Sequence, residues 1–284
     1  MSVSTKLWRI IDLINWSTDY FKSNKIENSK REIEWFLCEI LECERIDLYI
    51  RFEEVLNKSD LDKFKYMINQ RISGKPFQHI INKASFYGRD YFVNDTVLIP
   101  RPETEIIIDI IKKNNCVDSI LDIGTGSGCI AITIFLEKLA KNVFATDISD
   151  AAIKTAQYNI EKYQSNSIKI AKHDFLNQKF KKKFDIVVSN PPYISKNELK
   201  SLQKEVKNYD PKIALTDGKD GYSFYERFGQ QFNNLLNPNG YMLLEFGGNH
   251  QKETIKSIFK KNNLKTEFVK DLQNDWRVVK ITNE

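Results

Sequence analysis

A chain of 284 residues has room for roughly two domains, and 41% hydrophobic content with 18 Phe, 12 Tyr and 4 Trp excludes a largely disordered polymer. No apolar run approaches the ~18 residues of a bilayer span, and Met1–Arg9 carry no apolar core followed by a small-residue cleavage site, so the expected location is the cytoplasm. The 43 basic and 38 acidic side chains leave a net charge of +5, but residues 1–82 balance at 13 of each, so the amino-terminal part is no basic clamp for a nucleic-acid backbone.

The first predicted elements are helices. Leu7–Phe21 and Leu61–Ile72 have helical periodicity, and between them Ile33, Phe36, Leu37, Ile40 and Leu41 form one apolar stripe, with Ser29 and Glu32 at the spacing of a capping box. Residues 1–75 therefore read as a small helical bundle, closed by Gly74 and Pro76. Cys38, Cys43, Cys116 and Cys129 include no Cys-x-x-Cys pair, and His79, His173 and His250 are far apart, which argues against a metal site or a redox dithiol.

Residues 76–100 read as a linker carrying a β-hairpin, with Asn94-Asp95 between two β-prone runs of 84–99. Short apolar, β-branched runs then alternate with helical patterns: Ser119–Ile123, Val143–Thr146, Ile168–Ala171, Asp185–Ser189, Tyr241–Phe246, Phe268–Val269 and Val278–Ile281. This alternation predicts an α/β domain over 101–284 with a mostly parallel sheet covered on both faces. The last run follows its predecessor too closely for a helical crossover, so it is expected to be antiparallel. Lys179–Lys183 reads as a solvated loop.

The first strand of that domain runs into Gly124-Thr125-Gly126-Ser127-Gly128, where a ligand can approach the backbone at the carboxyl edge of the sheet. The spacing is G-x-G-x-G. Cys129 stands where a dinucleotide fingerprint has its third glycine, and no Lys-Ser/Thr pair follows to make a triphosphate loop. The second strand ends at Asp147, placed to accept the ribose hydroxyls of a nucleoside or simply to cap a helix. Phe175 follows the third strand and suits either stacking on a purine or core packing.

The fourth strand leads into Asn190-Pro191-Pro192-Tyr193. Two prolines stiffen the backbone and supply no N–H, so the turn presents carbonyls. The Asn190 side-chain oxygen and the Pro191 carbonyl can accept both hydrogens of a planar NH2 group while Tyr193 packs on its flat face. A conjugated amide nitrogen is a weak nucleophile, so holding it in line with an electrophile and polarising its N–H bonds is most of the task.

Taken with these motifs, the chain resembles the PrmC (HemK) methyltransferases across nearly its full length. The likeness also rests on Gly74–Ile80, Phe86-Tyr87-Gly88, Leu98–Glu105, Asp210-Pro211, Gly218, Asp220-Gly221 and Leu243-Leu244-Glu245 with Gly247. The resemblance implies a Rossmann-like, class I S-adenosylmethionine-dependent fold with a seven-stranded sheet, and methylation of the glutamine of the Gly-Gly-Gln motif in class 1 peptide-chain release factors. It assigns Gly124, Thr125, Gly126, Ser127, Gly128, Asp147, Phe175 and Asn190 to S-adenosylmethionine, which leaves as S-adenosylhomocysteine, and Asn190, Pro191, Pro192 and Tyr193 to the glutamine amide, with residues 1–75 docking the substrate and no metal. His79, Asp210 and Phe175 depart from the family's usual tyrosine, glutamate and tryptophan. Arg101 and Glu103 lie in a segment that lines the site in relatives and read equally as structural ion-pair residues.

Three other functions fit parts of the pattern. An adenine amino-methyltransferase acting on DNA or RNA needs a surface to extrude a base, which the neutral amino-terminal part does not offer. The sister family that methylates a glutamine of a large-subunit ribosomal protein typically lacks the Pro102-Glu103-Thr104-Glu105 present here. A binding scaffold without catalysis would be free to lose Asp147 or Asn190, and both are present.

Overall fold

The computed structural model describes residues 7–284, which divide into two compact units, one ending at Asn82 and one spanning Lys83–Glu284. Met1–Lys6, read above for a secretion signal, lie outside the described residues. No described helix is long and apolar enough to cross a membrane.

The first unit consists of helices α1 (Ile10–Ser23), α2 (Ser29–Leu41), α3 (Arg45–Ile50), α4 (Lys58–Ile72) and α5 (Phe77–Ile81). Its core is the set of apolar stripes: Ile10, Leu13, Ile14 and Phe21 from α1, Ile33, Phe36 and Leu37 from α2, and Phe64 and Ile68 from α4. The expected capping box at Ser29 does not form. Asn28 takes the cap position in a left-handed conformation, the Ser29 hydroxyl donates to the Ile26 carbonyl, and Glu32 instead receives Arg71 of α4 at 2.7 Å. A tertiary ion pair has outcompeted a local contact. Helix α4 begins three residues earlier than the periodicity suggests because the Asn57 side chain caps it, accepting from the Asp60 N–H at 3.0 Å. Trp16 is 50% and Trp35 38% exposed, whereas Trp8 is half-buried.

The second unit opens with a hairpin of β1 (Lys83–Phe86) and β2 (Arg89–Phe92). Its turn is Tyr87-Gly88, both at positive φ (51° and 72°), the left-handed pair that suits a two-residue hairpin loop. Asn94-Asp95, expected as the turn, lies beyond the hairpin. There Asn94 Oδ1 accepts from the Thr96 N–H and hydroxyl, and Val97 and Ile99 are buried as irregular chain rather than as a strand.

The main sheet follows: α6 (Glu105–Lys112), β3 (Val117–Ile123), α7 (Cys129–Leu136), β4 (Ala140–Asp147), α8 (Asp150–Lys162), β5 (Lys169–Lys172), β6 (Phe184–Ser189), the short helices α9 (Lys204–Tyr209) and α10 (Lys212–Leu215), α11 (Ser223–Leu235), β7 (Leu236–Glu245), α12 (Asn249–Lys260), β8 (Leu264–Lys270) and β9 (Trp276–Asn283). The seven strands are ordered β5-β4-β3-β6-β7-β9-β8, and β9 runs antiparallel to both of its neighbours, as expected. Successive residues of the inner strands feed opposite cores. Ile120, Ile186, Leu243 and Val278 pack under α6, α7 and α8, while Leu121, Val187, Leu244 and Val279 pack under α11 and α12. Burial on both faces explains why these strands read as unbroken apolar runs rather than alternating ones. The edge strands differ: β5 exposes Lys169 and Lys172, and β8 exposes Lys265 and Glu267.

Candidate functional site

Strands β3 and β6 are neighbours, with Ile120, Leu121 and Asp122 opposite Ile186, Val187 and Val188. The chain leaves β3 towards β4 and β5 on one side and returns to β6 on the other. Loops from adjacent strands thus part at their carboxyl ends and leave a crevice, where open α/β sheets bind their ligands. A cleft of about 250 Å³ lies there.

One wall is the Gly124–Gly128 loop. The Gly124 and Thr125 N–H groups both donate to the Thr146 carbonyl, at 2.8 and 2.9 Å, which ties the loop to the end of β4. Gly126 has φ of 56° and would direct a Cβ into open space, so its backbone faces the cleft unscreened. Its N–H donates to Asp147 Oδ2 at 3.0 Å, while the Ser149 N–H donates to Oδ1 at 2.9 Å. Burial raises the Asp147 carboxyl above its ordinary range, and these N–H groups oppose that shift. Behind the loop, wholly buried Asp122 accepts the Thr125 hydroxyl at 2.7 Å and is pushed up to about 7 by desolvation.

The opposite wall comes from the end of β6. Asn190 and Pro192 line the cleft with Phe175 and the Gly124–Ser127 loop. Phe175 also belongs to the core, with its ring 4.4 Å from that of Phe228, so it packs in the core and lines the cleft at once. Gly128, Pro191 and Tyr193 stand outside the lining. Gly128 caps α7, and a Cβ there would meet Ile132 at 3.1 Å and Ala156 at 3.2 Å, so its glycine serves close packing. Pro191 is buried. The Tyr193 ring packs into the core beneath α11 and α12, and its hydroxyl donates to Glu245 at 3.3 Å.

The bend after Asn190 is braced from outside the motif. The Tyr193 carbonyl accepts from Gln251 Nε2 at 2.7 Å, the Gln251 Oε1 accepts from the Gly247 N–H at 2.8 Å, and the Ile194 N–H donates to the Leu215 carbonyl. Gly221, at φ of 88°, is pressed against the same bend, since a Cβ there would lie 2.3 Å from the Tyr193 carbonyl oxygen. Gly221→Ala is therefore expected to cost about 1–3 kcal/mol. Its denaturant midpoint should drop accordingly, and an unchanged midpoint would show that the bend yields freely.

Asn190 Nδ2 donates to Thr104 Oγ1 at 3.2 Å, and the Thr104 hydroxyl donates to Glu245 Oε2 at 2.5 Å. Glu245 is wholly buried, and desolvation pushes its carboxyl up to about 7. Burial likewise raises the Tyr193 phenol. Arg101, on the cleft wall, pairs with buried Asp210 at 3.0 Å rather than with Glu103, and burial raises the Asp210 carboxyl to about 6 against that pairing. Sequence reading assigned no role to Thr104, Glu245 or Gln251. A carboxylate closing the apolar run Tyr241–Leu244 was the available signal, because a charge ending a fully buried strand needs a partner.

Among the described residues, no group of three or more His, Cys, Asp or Glu side chains is placed to hold a metal. The cleft does fit S-adenosylmethionine: an unscreened glycine backbone faces it, a carboxylate ends the second strand, and Phe175 offers an aromatic surface.

Residues 12–81 match the PrmC N-terminal domain and residues 102–208 the methyltransferase small domain. The chain is 36% identical to a release factor glutamine methyltransferase of Bacillus subtilis, over 95% of this chain and 96% of that one. It is 33% identical to one of Geobacter sulfurreducens, over 91% of each. Among solved structures, a methyltransferase from Pyrococcus furiosus shares the fold at 22% identity and a TM-score of 0.50, over 79% of this chain and 98% of that one.

Proposed function

The chain belongs to the release factor glutamine methyltransferases, and on that premise we propose that it moves a methyl group from S-adenosylmethionine to the side-chain amide nitrogen of the glutamine in the Gly-Gly-Gln motif of class 1 peptide-chain release factors, in the cytoplasm. The carrying observation is Asn190 at the switch point, with its NH2 turned away to Thr104 and its oxygen left as an acceptor across the cleft from the glycine loop.

Gly124 to Ser127, Asp147 and Phe175 hold the cofactor, with Asp147 accepting from the ribose and Phe175 against the purine, while Gly128 lets the end of the loop pack against Ile132 and Ala156. When bound, S-adenosylmethionine supplies a methyl carbon made electrophilic by the positive sulfur beside it. Asn190 Oδ1 and the Pro191 carbonyl accept the two amide hydrogens, which orients the nitrogen and draws its N–H electrons towards it. Pro192 keeps the bend rigid, and Tyr193 closes it against solvent while its hydroxyl stays on Glu245. No strong base is needed, because the nitrogen becomes acidic only as it acquires the methyl group. The helical unit, with its balanced charge and exposed Trp16 and Trp35, contributes to docking the protein substrate.

The test is to incubate the protein with a release factor and isotope-labelled S-adenosylmethionine and to locate the label by mass spectrometry. Label on the glutamine of Gly-Gly-Gln, and none when that residue is alanine, is expected. Label on another residue, or on nucleic acid instead, would overturn the reading.

A further inference from the structure

An Asn side chain can present either its oxygen or its NH2 to a ligand, and the two ends have nearly the same shape. Something must choose between them. The choice is set two residues away. A threonine hydroxyl has one hydrogen, and in Thr104 that hydrogen goes to Glu245 Oε2. Only lone pairs of Thr104 Oγ1 then remain for Asn190, and lone pairs can face the NH2 end but not the oxygen.

We propose that Thr104 and Glu245 are positioning residues which, by fixing the direction of one hydroxyl proton, keep the Asn190 amide turned with its oxygen towards the substrate's NH2. This rests on the reading that Asn190 holds the substrate amide. The geometry supports a dedicated device rather than incidental packing. Thr104 and Glu245 are 3% and 1% exposed, lie 141 positions apart in the chain, and meet beside Asn190, the one polar side chain at the end of β6 that lines the cleft, with Thr104 itself part of that lining.

The other Glu245 oxygen is occupied as well, accepting the Tyr193 hydroxyl at 3.3 Å. Both oxygens therefore act as acceptors, which the ionised carboxylate satisfies. A protonated Glu245 would instead have a hydrogen to give, could donate to Thr104, and would free the threonine hydrogen to meet an Asn190 turned the wrong way. Around Glu245 stand Thr104 and Glu103 from the segment before α6, Tyr193 after β6, Arg277 on β9, and Tyr225 of α11 on its main-chain carbonyl; Arg277 favours the ionised form and Glu103 opposes it. Desolvation pushes the carboxyl up to about 7, so turnover should fall as pH drops through that region.

Thr104→Val keeps the shape and removes the hydroxyl, and Thr104→Ser restores it. Thr104→Val is expected to lower kcat about tenfold or more, with calorimetric affinity for S-adenosylmethionine unchanged within about twofold, and Thr104→Ser to recover most of the loss. Glu245→Gln, which cannot ionise, should lose the fall in kcat on acidification near pH 7. A Thr104→Val protein as active as wild type, a Thr104→Ser protein as impaired as Thr104→Val, or an unaltered pH profile in Glu245→Gln would each overturn the inference. If Asn190→Ala is impaired while Thr104→Val is not, only the relay fails; if neither is impaired, the assignment of Asn190 itself fails.

Discussion

Replacing Asn190 by alanine is expected to lower the rate of methyl transfer by on the order of 10²-fold or more, with little change in cofactor affinity. The magnitude is that of losing one preorganised polar contact to reacting atoms in a water-poor site. Truncation removes an acceptor for the substrate amide and leaves Thr104 Oγ1 without the donor it now receives at 3.2 Å. Asn190→Asp tests the same point from the other side. It retains an acceptor but brings a second carboxylate towards the buried Thr104–Glu245 pair, and it removes the NH2 that donates to the threonine. It too should be strongly impaired. Single-turnover measurements with saturating cofactor isolate the step, and near-wild-type rates in Asn190→Ala would remove the residue from the reaction.

Asp147→Ala should act on the other half of the cleft and weaken S-adenosylmethionine binding by about 10- to 100-fold, the usual range for losing hydrogen bonds to a charged group. Asp147 carries two loads. It anchors the Gly126 and Ser149 N–H groups, and in the proposed function its remaining lone pairs accept from the ribose hydroxyls. Because burial raises its carboxyl, the wild-type protein should lose affinity on acidification, as the group takes up a proton and stops accepting. Asp147→Asn should be weaker throughout and lack that acid limb. Calorimetric titration across pH settles both points; equal affinity for wild type and Asp147→Ala would exclude the aspartate from the cofactor site.

Much of this architecture can be read from residue order alone, and the exceptions share a physical cause. Inner strands buried on both faces are mostly apolar, so β3, β6 and β7 stand out as runs, with the glycine loop following β3 and Asp147 closing β4. Helices α3 and α5, of six and five residues, are too short to show a period. The first hairpin was misplaced because its turn puts a tyrosine at positive φ, which sequence patterns do not favour, while Asn94-Asp95 carries the usual turn residues and uses them for a side-chain turn instead. Thr104 and Gln251 carry no role that local pattern could show, and Glu245 shows only as a charge closing an apolar run, because what each does depends on partners 141 and 58 positions away.

The pairing of β3 with β6 has one more implication. The loop assigned to the methyl donor and the bend assigned to the acceptor are extensions of two strands joined by the backbone ladder at Ile120–Ile186, Leu121–Val187 and Asp122–Val188. The span between the reacting atoms is thus gauged by main-chain rungs in the interior, not by surface side chains. Evolution can rebuild the outer rim to admit a different polypeptide without recalibrating that span, since the ruler and the gate are separate parts of the molecule.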